Sequence, residues 1–273
     1  MKDKGIQHSL ELVKKSSKAK WIECHFKINL NLPTVLRRSY CILKSIPDFR
    51  YHKAYTESNK VINKFHNIHQ GERVFIIGMG PSLNKTNFQL IKDEHMIALN
   101  GFFTGIEKFN VNPDYWCVSD MCVFDDIYKS LFKLDTNLFL MEDAGRAYLK
   151  KNLSFERTLE NNPIVVKPLG DTSTWNQFSK DLSKGATGGN VMFGGLQLAY
   201  YLGFDETYLI GCDCEGLHFD DTADEETSIP GFGRAFEHYE MFKREFEKDN
   251  CKIYNSTVGG ALEVFERKSL EDL

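Results

Sequence analysis

The sequence predicts an α/β fold: a Rossmann-like, doubly wound, mostly parallel sheet with an N-terminal helical extension. Three observations predict it. The run Arg73-Val74-Phe75-Ile76-Ile77 is apolar and rich in β-branched residues, and it stops at Gly78-Met79-Gly80-Pro81-Ser82, as a buried parallel strand stops at a tight turn. Short apolar runs then alternate with helix-length segments on short connections, the pattern of a parallel sheet with crossover helices. Nearly every run ends in a small or polar residue, and open α/β sheets bind ligands outside the carboxyl ends of their strands.

Taken in order, residues 1–66 read as basic amphipathic helical pieces broken near Pro33 and Pro47, and residues 67–273 as one Rossmann-like nucleotide-binding domain. Val74–Ile77 is the first strand, and Ser82 to about Lys92 holds a short helical turn. Strands follow at His95–Leu99, Tyr115–Val118, Leu138–Met141 and Ile164–Val166, ending respectively at Asn100-Gly101, Ser119-Asp120, Glu142-Asp143 and, for the last, in the run itself. A helix of small and apolar residues runs from about Thr187 to Leu202, a strand over Thr207–Ile210 ends at Gly211-Cys212-Asp213, a charged amphipathic helix spans Phe236–Lys248, and a last strand over Cys251–Tyr254 ends at Asn255-Ser256-Thr257. The acidic stretch Asp220–Thr227 reads as a loop.

Composition narrows the classes. A hydrophobic content of 42% in 273 residues suffices for a real core. No run of about 18 apolar residues spans a membrane, and no signal-peptide core precedes the first strand, so the expectation is a cytoplasmic protein. The seven cysteines show no metal-type pairing; Cys212-x-Cys214 lacks a second close pair, and reduced thiols are expected. Residues 1–66 carry 14 Lys/Arg against 5 Asp/Glu, whereas residues 67–273 carry 20 against 33. A basic front with interspersed Leu10, Val13, Trp21, Ile22, Phe26 and Ile28 suits either an anionic membrane surface or packing on the core, and it would place the protein peripherally on the inner membrane in the first case. Nucleic acid is not an expected partner, because the body is acidic and no reading motif occurs.

The candidate chemistry lies at the strand ends. Gly78, Met79, Gly80, Pro81 and Ser82 form a turn of the kind whose free N–H groups hold a phosphate. It lacks the third glycine of a dinucleotide fingerprint, because Leu83 stands there, and the Gly-Lys-Ser/Thr of a P-loop. Thr187, Gly188, Gly189 and Asn190 open an apolar helix and form a candidate second phosphate wall, the alternative for Thr187 being a simple helix cap; Gly194-Gly195 within that helix imply a close neighbour. Asn100, Ser119, Asp120, Asp213 and Asn255 line the rim that base, ribose and phosphate need, with Asp213 suited to a ribose hydroxyl or a cation. His218 and His238 are the candidate general bases. Asp125-Asp126 and Asp220-Asp221 are adjacent acids, which point apart on a strand, and no Asp-x-Asp follows an apolar run.

Phe75-Ile-Ile-Gly-Met-Gly-Pro-Ser-Leu83 resembles the Gly-x-Gly-Pro-Ser-Leu signature of the small bacterial sialyltransferases of glycosyltransferase family 42. It equally resembles the bacterial and archaeal domain of unknown function 115, whose archaeal members are 6-hydroxymethylpterin pyrophosphokinase-like. Leu198–Asp213 looks like the helix–strand unit both groups share, and Lys252–Glu266 is similar to the second in particular. The resemblance covers about Gly71–Leu273. It departs from family 42 at Met79, where that family has Asn, and near Gly233, where spacing places its catalytic histidine; His238 stands five residues later and His218 fifteen earlier.

Resemblance to family 42 implies a glycosyltransferase of bacterial surface polysaccharide (capsule or lipooligosaccharide) synthesis with a CMP-sugar donor, no metal required for chemistry, and inversion at the anomeric centre. It places the donor phosphate against Gly78–Ser82 and Thr187–Gly189, the nucleotide against Asn100, and Asp213 near the donor. The implied partners are a nucleotide sugar and a saccharide or lipid-linked glycan acceptor; the anionic membrane surface is a partner expected from the composition of residues 1–66, which lie outside the resemblance, and a homo-oligomer is compatible with the sequence. Resemblance to the pyrophosphokinase-like group implies instead a Mg²⁺-dependent transfer from ATP to a small alcohol such as a hydroxymethylpterin, with Asp120 and Asp213 as metal carboxylates. A non-catalytic nucleotide-binding scaffold is the third reading.

Overall fold

The computed structural model describes residues 49–152, 163–169, 177–188, 190–214, 219 and 232–273. Residues 1–48 of the expected extension, the acidic stretch 220–227, Gly189 and His218 lie outside the described residues.

Eight strands form one sheet in the order β5-β4-β3-β2-β1-β6-β7-β8, and every neighbouring pair is parallel. They are β1 Arg73–Ile77, β2 His95–Leu99, β3 Tyr115–Val118, β4 Asn137–Met141, β5 Ile164–Val166, β6 Glu206–Ile210, β7 Lys252–Asn255 and β8 Glu266–Arg267. Six helices are described: α1 Phe49–Ile62, α2 Phe103–Phe109, α3 Met121–Leu131, α4 Glu142–Asn152, α5 Val191–Leu202 and α6 Phe232–Glu247. The expected turn after β1 is two 3₁₀ turns, Pro81–Lys85 and Phe88–Ile91.

Strand period two sorts the apolar side chains to two faces. Val74, Ile76, Ile97, Leu99, Cys117, Phe139 and Met141 pack with Ile62 of α1, with α5 and with α6. Phe75, Ile77, Met96, Ala98, Trp116, Val118 and Leu140 pack with α3, α4 and the 3₁₀ turns. Both faces are covered, which is why the strands read as continuous apolar runs rather than alternating ones. The chain winds outward from β1 to β5 and then returns to the other side of β1 at β6, so the topological switch point lies between β1 and β6.

Two details replace sequence expectations. Asp125-Asp126 lie within α3, not on a strand. The cap of α5 is Asn190, whose side chain accepts from the Met192 amide, and not Thr187. Helix α1, within the stretch expected as an extension, lies along the β5 edge: the Val165 amide donates to Ser58 Oγ at 3.1 Å and Asn59 Nδ2 donates to the Ser183 carbonyl at 3.0 Å. A side-chain acceptor on an outermost strand occupies a ladder group that would otherwise invite another strand. No helix among the described residues is long and apolar enough to cross a membrane.

Candidate functional site

The carboxyl ends of β1, β2, β3 and β6, with the start of α5, gather most of the expected site residues. The turn after β1 is bound to the end of β6. Gly78 N donates to the Ile210 carbonyl and Gly80 N to the Gly211 carbonyl, both at 2.8 Å. Ser82 completes the seam: its Oγ donates to Asp213 Oδ2 at 2.7 Å and its amide to Asp213 Oδ1 at 3.2 Å. Ser82 and Asp213 are both buried. The close approach that the Gly-x-Gly turn requires is therefore to this chain's own β6 end. The amides of Gly78, Gly80 and Ser82, expected to meet a phosphate, are engaged within the protein. Phe219 closes over Met79: its amide donates to the Met79 carbonyl at 2.8 Å, and its ring packs 5.8 Å from Phe102 and 5.5 Å from Phe109.

The β2 and β3 ends form a second polar cluster. Asn100 adopts a left-handed backbone, φ +41, which asparagine tolerates better than most residues. Its Oδ1 accepts from the Ser119 amide at 3.1 Å and its carbonyl from Trp116 Nε1 at 2.9 Å. Asn100 Nδ2 makes no hydrogen bond among the described residues and stays a donor pair at the sheet edge. Asp120 caps α3, its Oδ1 accepting from the Cys122 amide at 2.7 Å and the Val123 amide at 3.0 Å. A carboxylate at a helix start also meets the favourable end of the helix dipole.

Helix α5 sets its first turn over the same edge. Its Gly194 and Gly195 leave room for the sheet: a Cβ on Gly194 would stand 2.5 Å from Met141 Sδ and 3.2 Å from Cys117 Sγ, and one on Gly195 2.9 Å from Leu99 Cδ2. The loop before α5 is held by Gln197, which is fully buried; its Oε1 accepts from the Thr187 amide at 2.6 Å and its Nε2 donates to the Ser179 carbonyl at 3.0 Å. Sequence reasoning missed Gln197. Its signal was a lone polar residue inside the apolar run Leu196–Leu202.

Two further expected residues, Asn255 and His238, are buried. Asn255 is buried and structural: its Nδ2 donates to the Leu262 carbonyl at 2.7 Å and its Oδ1 accepts from the Thr257 amide at 3.0 Å. His238, on α6, is buried and stacks on Phe193 of the first turn of α5, ring centroids 5.2 Å apart. Beside it, Tyr239 Oη lies 3.6 Å from Cys212 Sγ, and the neighbouring Cys214 together with burial pushes the Cys212 thiol well up. A buried thiol of raised pKa is a poor nucleophile.

This architecture, with a polar carboxyl edge at the switch point of a doubly wound parallel sheet, defines the class of Rossmann-like α/β folds. The chain belongs to the 6-hydroxymethylpterin diphosphokinase MptE-like family, whose profile matches residues 49–217. Among solved structures, the MAf glycosyltransferase from Magnetospirillum magneticum AMB-1 is similar at 17% identity and a TM-score of 0.50, over 92% of this chain and 46% of that one. This chain thus spans less than half the length of that protein. The sialyltransferase CstII from Campylobacter jejuni, solved in complex with a substrate analogue, cytidine-5'-monophosphate, is similar at 16% identity and a TM-score of 0.45, over 71% of this chain and 87% of that one. The likeness to the MAf glycosyltransferase is one of fold. No curated protein matches the sequence.

Proposed function

We propose that this protein is a nucleotide-dependent transferase, and specifically a sialyltransferase-like glycosyltransferase of bacterial surface polysaccharide synthesis that takes a CMP-sugar as donor and a saccharide or lipid-linked glycan as acceptor. The observation that carries the reading is Asn100. It is a left-handed residue fixed from both sides by Ser119 and Trp116, with its Nδ2 donors left at the carboxyl edge beside the switch point.

In this reading Asn100 and Ser119 contact the nucleotide, and Asn190 and the start of α5 face the donor phosphate, where the helix dipole favours negative charge. The acceptor hydroxyl gives its proton to His238 or His218, its oxygen attacks the anomeric carbon, and the bond to the nucleotide phosphate breaks with inversion. The chemistry needs no metal. Two of the carboxylates at this edge are already engaged by protein donors, Asp213 by Ser82 and Asp120 by the first turn of α3. Residues 1–66, basic overall, meet the anionic inner face of the membrane and bring the enzyme to its acceptor, while their last helix, α1, packs on the β5 edge of the sheet.

Family membership favours a second reading, a Mg²⁺-dependent diphosphokinase that transfers diphosphate from ATP to a hydroxymethylpterin-like alcohol. Its magnesium would fall to Asp120 and Asp213. That donor set fits poorly, because both Asp213 oxygens accept from Ser82.

A thermal-shift panel of CMP, CDP, UDP, GDP and ATP, each with Mg²⁺ and with EDTA, tests the two readings, since a ligand of the native state raises Tm by mass action. The expected outcome is stabilisation by CMP that survives EDTA and that Asn100→Ala abolishes. Stabilisation by ATP alone, and only with Mg²⁺, overturns the CMP-sugar reading in favour of the diphosphokinase.

A further inference from the structure

The amino-terminal edge of the sheet, at the far end of the strands from the transferase site, carries a separate cluster. His69 lies in the loop before β1, Glu72 directly precedes β1, and His95 is the first residue of β2. Each offers one ligand atom, and the three atoms lie within 4.8 Å of one another. Glu72 Oε2 is 2.5 Å from His69 Nδ1 and 3.2 Å from His95 Nε2. The other nitrogen of each ring is also held by oxygen: His69 Nε2 lies 2.6 Å from Tyr115 Oη, and His95 Nδ1 lies 3.4 Å from Asp114 Oδ2. Packing fixes the His69 ring, which stacks on Phe204 with centroids 4.4 Å apart and planes 8° from parallel. A cleft of about 600 Å³ opens beside the cluster, lined by Glu72 and His95 together with Asp93, Glu94, Asp205 and Glu206. The cation in its wall, Arg73, is already bound through two nitrogens to Glu94.

We propose that His69, Glu72 and His95 form a binding site for a divalent transition-metal cation of the zinc type. Two imidazole nitrogens and one carboxylate oxygen are a donor set that zinc accepts, and they leave a fourth position for water or for a group entering from the cleft. The surroundings fit as well as the donors. Histidines that bind a metal give their second N–H to an oxygen, which fixes the tautomer and the ring orientation. With Nδ1 of His69 and Nε2 of His95 on the metal, the protons sit on His69 Nε2 and His95 Nδ1 and are donated to Tyr115 Oη and Asp114 Oδ2. The acidic lining of the cleft attracts a cation to the same place. The competing use of these atoms is proton sharing alone, in which the nitrogens facing Glu72 carry the hydrogens.

The full-length protein is stripped with EDTA, exchanged into non-chelating buffer with a phosphine reductant near neutral pH, and titrated with zinc chloride in a calorimeter. Cobalt is titrated in parallel and read by its visible absorption bands. A single equivalent of zinc is expected, weakened at least tenfold or so by Glu72→Gln and by His95→Ala, because each removes a ligand. Tyr115→Phe, which removes only the oxygen behind His69, is expected to weaken it by about 10–100-fold. Glu72 is half exposed, so its variant keeps the fold, checked by an unchanged Tm in EDTA. The pair Cys212→Ser and Cys214→Ser is expected to leave binding unchanged. Absence of zinc uptake, uptake that survives Glu72→Gln, or uptake lost with the two cysteines each overturns the proposal.

Discussion

Single atoms decide the seam between β1 and β6. A Cβ on Gly78 would stand 2.4 Å from the Gly211 carbonyl oxygen, and one on Gly80 would stand 1.8 Å from Asp213 Oδ2. Neither glycine has a positive φ, so space and not backbone freedom demands them. Gly78→Ala meets rigid backbone and is expected to cost about 1–3 kcal/mol, in the range of overpacked cores. Gly80→Ala must also push Asp213 off Ser82, adding about 1.5–3 kcal/mol for hydrogen bonds to a charged group. Urea unfolding of both variants checks this, and an unchanged midpoint for Gly80→Ala would show that the seam does not hold the turn. The sequence made the glycines legible as a place of close approach. It did not disclose the partner, because Gly211 and Asp213 lie more than a hundred residues away and meet the turn only through strand pairing.

Elements show the same division. β1 to β7 were legible within a residue or so, since burial on both faces leaves apolar runs, whereas β8, two exposed charged residues after the strand expected to be last, left no such run. Helix starts were less legible, because Thr, Asn and Asp all make good caps and spacing does not choose among them. The structure chooses Asn190 for α5 and Asp120 for α3. Asp120→Ala is expected to cost about 1 kcal/mol through loss of the cap, while Asp120→Asn keeps most of it. The same pair probes function. Under the glycosyltransferase reading, Asp120→Asn leaves nucleotide-induced stabilisation unchanged; a loss confined to ATP with Mg²⁺ would mark Asp120 as a metal ligand. Thermal shifts of the two variants, with and without nucleotide, separate the cap from the ligand role.

At the scale of the molecule, doubly wound packing partly desolvates the hydroxyls of Tyr115 at the start of β3 and of Tyr200 on α5. Burial pushes Tyr115 from 10.0 up to about 12, and Tyr200 likewise. A group whose folded pKa is raised contributes stability that is present below its unfolded value and is lost as pH rises through the folded one. Thermal unfolding is therefore expected to show Tm falling between pH 10 and about 12, with a shallower fall in Tyr115→Phe. A Tm that is flat over that window would remove the account. By itself the sequence determined the α/β class, the strand sequence and the polar strand ends, because burial and turn chemistry are local and write themselves into residue order. Only the tertiary structure decided that Ser82 and Asp213 bind each other, that Asn255 turns inward, that Gln197 ties down the loop before α5, and that His69, Glu72 and His95 meet at the opposite edge. The first and last of those pairings depend on strand order in the sheet, which places β1 between β2 and β6 and which no local pattern in the chain encodes.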